Sequence, residues 1–335
     1  GWRLEIKKYP LLTAIGSKRA ETVIGHNTQI GDGTPYEGYY TQDEARDIVE
    51  YARQRHIVVV PEIDMPGHQL AALAAMPNLG CTGGPYKVGT VWGVYDDILC
   101  LGNEDTYKFC EDVLSELIDI FPSEVIHIGG DEAPTVRVEH CPKCQALMQR
   151  EHLTPKNIQG YFTNRIEKFV NSKGRRIMGW DEIMDGDINT SAMVHCWRNP
   201  SFGIKAAQKG HDVVLSPTKY CYFDFYQANP RAVHEPLAIG GYLPVDSVYN
   251  MDTMPKDISP ENRKHIIGIQ ANLWTEYVAV PNHAEYMLLP RMAALAENAW
   301  VKDRGPYSAF LPRLTRLKSL YDVYNLHYAN HVWKK

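Results

Sequence analysis

The 335-residue sequence predicts an α/β fold, a (β/α)8 TIM barrel from which roughly the first two strands are missing. Three observations carry that expectation. Short β-branched runs alternate with amphipathic helices along the whole chain. Each run ends on a Trp, Tyr, His, Asp or Glu, where parallel barrels hold their chemistry; a doubly wound sheet would place ligand groups at only one switch point. The count stops at six strands where closure needs eight. No low-complexity segment or linker divides residues 1–335, so one barrel domain, incomplete at its N-terminal side, is expected.

Thr41 caps a helix that runs to about Arg55, with Asp43 and Glu44 in its first turn and Ile48, Val49 and Ala52 on its apolar face. His56–Asp64 reads as a buried strand from its Ile57-Val58-Val59-Val60 run, and it delivers the loop Met65-Pro66-Gly67-His68. A long Gly- and aromatic-rich loop, Pro77 to Leu99, follows. Residues 104–121 form a helix with Val113, Leu114, Leu117, Ile118 and Phe121 in one stripe.

Val125-Ile126-His127-Ile128 is the next strand, closed by Gly129-Gly130 and then by Asp131-Glu132. Neighbouring side chains on a strand point to opposite faces. Two consecutive acids therefore converge only where the strand has ended, and the glycine pair permits that bend. The simpler alternative is that one acid caps the next helix. Thr154-Pro155 opens a helix to about Ser172. Ile177–Glu182 and Ala192–Trp197 are short strands ending near tryptophans, Gly203–Lys209 is helical, and Val213–Ser216 leads to Tyr220–Asp224. Residues 229–264 form a long connection. Ile266–Leu273 is the last strand, ending in Trp274-Thr275-Glu276, and helices near 283–300 and 306–325 close the chain.

Composition narrows the function. Hydrophobic content of 44% and charged content of 22% are ordinary for a globular core. The net charge is −5, and no basic stripe tracks phosphates, so nucleic acid is not an expected partner. No apolar run reaches membrane-spanning length. The cysteines, at 81, 100, 110, 141, 144, 196 and 221, are odd in number. Cys81 and Cys100 bracket a Gly-rich loop and suit a disulfide in an oxidising compartment. Cys141-Pro-Lys-Cys144 has knuckle spacing but lacks a second C-x-x-C, and only His140 and His152 lie near enough in sequence to complete a zinc site. No metal and no cofactor is expected. Nor do His68, His127, His195 and Asp131 show a metal-binding H-x-H or H-E-x-x-H spacing.

The strand ends offer His68, Asp131, Glu132, Trp180, Trp197, Tyr222, Asp224, Trp274 and Glu276. Aromatic faces interleaved with carboxylates suit a sugar, whose C–H faces stack on rings while its hydroxyls bond to acids. A single tryptophan at a strand end is more often packing; three at three separate ends are harder to dismiss.

The order P-E-I-D-M-P-G-H, H-I-G-G-D-E, G-W-D-E, H-C-W, Y-F-D and L-W-T-E resembles the family 20 glycoside hydrolases, the β-N-acetylhexosaminidases. The resemblance implies exo-hydrolysis of terminal GlcNAc or GalNAc with retention, the substrate's own acetamide acting as nucleophile. It makes Glu132 the general acid/base and Asp131 the partner that steadies the acetamide. Tyr222 would donate to the attacking carbonyl oxygen, and an ionised Asp131 would raise the pKa of Glu132. Trp180, Trp197 and Trp274 would wall the acetamide, Asp224 and Glu276 would bind sugar hydroxyls, and His68 would bond to the catalytic glutamate.

The family's arginine clamp and D-D-Q segment would lie ahead of Gly1. A longer natural protein is therefore expected, with a small α+β domain upstream, acting outside the cytoplasm on a glycan or chitooligosaccharide. A homodimer is compatible with this reading. Two alternatives stand beside it: a glycan-binding barrel without activity, and a conventional retaining glycosidase using Glu182 or Glu276 as nucleophile.

Overall fold

Strand-forming and helix-forming stretches alternate through a computed structural model that describes residues 1–334. The chain divides into two units: Gly1–Ile24 with Gln29–Val194, and Gly25–Thr28 with His195–Lys335. In the first, helix α1 (Gln42–Arg53) begins at a capping box in which Thr41 and Glu44 each satisfy the other's backbone N–H. Helix α2 (Glu104–Ile120) starts on Asn103 and buries Val113, Leu114 and Leu117, as its periodicity predicts. Strand β1 (Val125–His127) follows, then α3 (Pro142–Glu151), α4 (Ile158–Ser172) and β2 (Arg176–Trp180). β1 and β2 pair in parallel, Val125 opposite Arg176 and His127 opposite Met178. Ile126 and Ile177 are fully buried in a core that also takes Leu114, Phe162 and Ile166.

β3 (Met193–Cys196) begins in the first unit and ends in the second. There α5 (Pro200–Gln208), β4 (Val213–Leu215) and β5 (Ile266–Ile269) follow. β4 and β5 are parallel, and the pairing skips Ile267, which is half exposed. The closing helical stretch is split into α6 (Pro281–Leu288) and α7 (Arg291–Trp300), because Pro290 cannot continue a helix. α8 (Tyr307–Val323) follows, and a short 3-10 turn, His331–Trp333, comes after it. Arg291 is buried here and donates to the carbonyls of Phe225, Leu243, Phe223 and Met287, which replace its lost hydration.

The buried strand expected at His56–Asp64 needs correction. Only its last residues pair: Ile63 N–H donates to His127 (3.1 Å) and Met65 N–H to Ile128 (2.9 Å), with a parallel bridge between Glu62 and His127. Ile57 and Val58 are 58% and 68% exposed. Among the described residues no strand pairs with its Ile57–Val60 part, so Ile57, Val58 and Val60 stay in solvent while Val59 packs partly against the core. A cavity of about 450 Å3 lies along this side, lined by Trp2, Leu4, Val59, Ile63, Leu117 and Phe121 on its apolar walls. Amide hydrogen exchange should therefore be fast at Val58–Val60 and slow at Ile126–Ile128; equal protection of the two stretches would show the edge to be covered.

Candidate active site

The parallel strand β1 stops at His127, and the chain then turns through Gly129 (φ +66°) and Gly130 (φ +99°). Both positions need glycine. A Cβ on Gly129 would sit 1.9 Å from Oδ1 of Asp64, and one on Gly130 2.7 Å from Cγ2 of Ile183. The turn is held from three sides. Gly130 N–H donates to Asp64 Oδ1 (3.0 Å), Gln159 donates to the Gly130 carbonyl (2.5 Å), and Trp180 N–H donates to the Gly129 carbonyl (2.8 Å). Glu132 follows with φ +47°, a left-handed conformation that costs a non-glycine residue about 1–3 kcal/mol. Neither acid caps a helix: the next turn, the 3-10 segment Val138–His140, is capped at Arg137, and α3 at Cys141.

The turn brings both acids to one histidine. His68 Nε2 lies 3.5 Å from Asp131 Oδ2 and 3.4 Å from Glu132 Oε2. His68 is itself left-handed (φ +54°), and Gly67 before it lets the loop approach the acids' backbone, with space for a Cβ only 3.0 Å from the Asp131 carbonyl oxygen. Hydrogen bonds to Asp131 and then Glu132 raise the His68 pKa to about 10, so the imidazolium is the working form. Burial alone would raise Asp131, but the His68 bond and charge and a hydrogen bond with Asp64 outweigh it and hold this carboxyl below its ordinary value. Asp64 is pushed the other way, first by burial and then by the charge of Asp131. Two neighbouring carboxyls are thus driven apart in protonation.

Asp131 Oδ1 is buried and has no hydrogen-bond donor among the described residues. Glu132 is more open, its side chain 39% exposed against 17% for Asp131. One acid therefore offers a sheltered acceptor and the other an accessible carboxyl. Trp180, 3% exposed, donates its indole N–H to Glu62 (3.0 Å) and packs edge-on against His127 (centroids 4.9 Å apart).

The remaining sequence-predicted residues belong to the second unit. Trp197 and Tyr222 stack there at 6.1 Å and 28°. Phe223 N–H donates to the Asn272 carbonyl (2.7 Å) and Asn272 N–H to the Cys221 carbonyl (2.8 Å), which sets Y-F-D beside the end of β5. Asp224 is buried with both carboxylate oxygens lacking a donor among the described residues. Burial, aided by the charge of Glu276, pushes its pKa up to about 7. Trp274 is 36% exposed and Glu276 is exposed.

Sequence reasoning passed over Asp64 and Glu62 as site residues, although P-E-I-D sits at the end of an extended run with the same strand-end logic as the acid pair. It also offered Cys81 and Cys100 as a disulfide suited to an oxidising compartment. No disulfide joins any of the seven cysteines; Cys141 and Cys144, with neither His140 nor His152, lie beside Cys81 and Cys100.

Residues 1–303 match the family model for the catalytic domain of glycosyl hydrolase family 20. This chain belongs to glycosyl hydrolase family 20. The β-hexosaminidase of Porphyromonas gingivalis is 41% identical over 330 residues, covering 98% of this chain and 41% of that protein. That of Vibrio furnissii is 36% identical over 303 residues, 88% of this chain and 49% of its own length. The family 20 exo-β-N-acetylglucosaminidase of Vibrio harveyi, solved with N-acetylglucosamine, superposes with a TM-score of 0.85 at 33% identity, over 100% of this chain and 53% of that one. The family 20 chain thus spans about half the length of these relatives, and its fold is that of the family's α/β barrel catalytic domain.

Linkage gives the pair a pH signature. A histidine raised from 6.5 to about 10 contributes stability that is complete below pH 6.5 and lost as pH climbs through 10. The Tm advantage of wild type over His68→Gln should shrink steadily between those values; an advantage that grows with pH would contradict the charged His68.

Proposed function

We propose that the protein is an exo-acting β-N-acetylhexosaminidase that removes terminal GlcNAc or GalNAc from glycans or chitooligosaccharides by substrate-assisted, retaining catalysis. The observation that carries this reading is the division of labour in the acid pair: a buried Asp131 oxygen without a donor directly beside an accessible Glu132 carboxyl. Family membership supports it.

In the first step Glu132 protonates the glycosidic oxygen while the substrate's acetamide carbonyl oxygen attacks the anomeric carbon. The C–O bond to the leaving group breaks and a cyclic oxazolinium forms, leaving Glu132 ionised. Asp131 accepts the acetamide N–H through its unsatisfied oxygen and stabilises the positive charge that grows there. Water then gives a proton to Glu132 and attacks the same carbon from the face the leaving group vacated, breaking its bond to the acetamide oxygen, so the ring reopens to the neutral acetamide and configuration is retained. A nucleophile already tethered to the sugar contributes up to about 7–11 kcal/mol through its effective molarity when well oriented. His68, cationic and touching both acids, positions them and offsets their mutual repulsion.

For Trp180, Trp197, Tyr222, Trp274, Asp224 and Glu276 we propose the sugar-contacting roles the resemblance implies. The donor-free oxygens of Asp224 support a hydroxyl-binding role for that residue. A binding barrel without activity would have no need to set a sheltered acceptor against an open proton donor, which disfavours that alternative. We propose also that further strands outside this chain cover the exposed Ile57–Val60 edge, which the same exchange measurement on the full-length protein would report as new protection. An enzyme acting on such glycans is proposed to work beyond the cytoplasmic membrane, testable by cell fractionation.

On the full-length protein, Glu132→Ala should lower turnover of aryl β-N-acetylglucosaminides by about 10²–10⁴, least for the best leaving groups. Asp131→Asn should lose roughly 10²–10³, mainly in kcat. A thiazoline that mimics the cyclic intermediate should inhibit strongly. Covalent trapping of Glu182 or Glu276 by a 2-fluoro sugar would refute the scheme.

A further inference from the structure

Four cysteines converge in the first unit, apart from the acid cluster. The sulfurs of Cys81, Cys100, Cys141 and Cys144 all lie within 4.8 Å of one another. Cys100 is 3.6 Å from Cys141 and 3.7 Å from Cys144, and Cys81 is 3.8 Å from Cys144. Sulfurs at the corners of a tetrahedron with Zn–S bonds of about 2.3 Å stand about 3.8 Å apart. These four are spaced as a single metal ion would hold them. We propose that Cys81, Cys100, Cys141 and Cys144 form a tetrathiolate site for one structural zinc ion.

The local architecture is built for that role. Cys141 is the residue before the first turn of the ten-residue helix α3, and Cys144 lies within that turn, where unsatisfied backbone N–H groups favour thiolate. A second loop, Cys100-Leu101-Gly102, closes on the first. The Gly102 N–H donates to Cys144, as backbone amides do to metal-bound sulfur. A Cβ on Gly102 would lie 2.2 Å from the Lys143 carbonyl, so only glycine permits this approach. Cys81 arrives from the far end of the long loop, which is tied back where Cys100 N–H donates to the Leu79 carbonyl (2.8 Å).

The alternative is four reduced thiols packed as small apolar groups. Cys110, Cys196 and Cys221 are buried in that way, and none of them joins a cluster of metal-binding side chains among the described residues. Cys100, Cys141 and Cys144 are also buried, but together with Cys81, from separate parts of the sequence, they point at one spot. With four protein ligands the ion would have no open position, so its role is structural. It would fasten the Cys81–Cys100 loop to the segment that leaves Glu132 and reaches Cys141, two stretches also joined by the Arg137–Asp97 ion pair (2.8 Å).

The proposal does not rest on the hydrolase reading, and its test reads metal directly. Full-length protein purified without chelators or metal-affinity resin should carry one zinc per chain by elemental analysis. Cobalt exchanged into it should show thiolate-to-metal charge transfer and the visible bands of a tetrahedral ion. Cys81→Ser and Cys144→Ser should lower zinc retention roughly tenfold or more, while Cys110→Ser keeps the full complement. If the serine variants do not fold, the wild-type cobalt spectrum decides. Absence of stoichiometric zinc after refolding with zinc, iron in its place, or disulfides among the four found by mass spectrometry would each overturn it.

Discussion

The candidate acid site of this chain depends on a contact that only two glycines allow: the Asp64 carboxylate lying against the Gly129–Gly130 backbone. Any side chain at Gly129 would occupy the space of Asp64 Oδ1. Remove that approach and β1 continues or bends elsewhere, and Asp131 and Glu132 return to opposite faces. With it, the strand ends abruptly, both acids meet His68, and Asp64 enters the same electrostatic field. The conformational cost of a left-handed Glu132 is offset by the contacts that hold the turn, from Asp64, Gln159 and Trp180.

Electrostatics then assigns the roles. Three carboxyls and one imidazole crowd one corner of the first unit, and they cannot all ionise alike. His68 takes the positive charge, Asp131 keeps the negative one, and Asp64 is driven toward its neutral form. What is left over is chemically useful: a buried Asp131 oxygen, Oδ1, that has no hydrogen-bond donor among the described residues, and a Glu132 carboxyl more open to solvent.

Much of this was legible in the residues. G-G-D-E announced a broken strand with two acids, P-G-H announced a loop presenting His68, and capping and periodicity placed α1 and α2 closely. The misses share a cause. Whether the Ile57–Val60 run is buried depends on what pairs with its far edge, which its own composition does not encode. The cysteine cluster is a tertiary event: Cys81 and Cys100 look like a loop-closing pair until the fold delivers Cys141 and Cys144 to them. Asp64 was hidden because its partner is a backbone turn more than sixty positions away in sequence.

The central claim is that the attacking oxygen belongs to the ligand, steadied by Asp131 while Glu132 supplies the proton. It is tested most directly by comparing kcat/KM for an aryl β-N-acetylglucosaminide with that for the aryl β-glucoside, which has no acetamide. The account predicts near-complete loss of turnover for the glucoside; comparable rates for the two would contradict it.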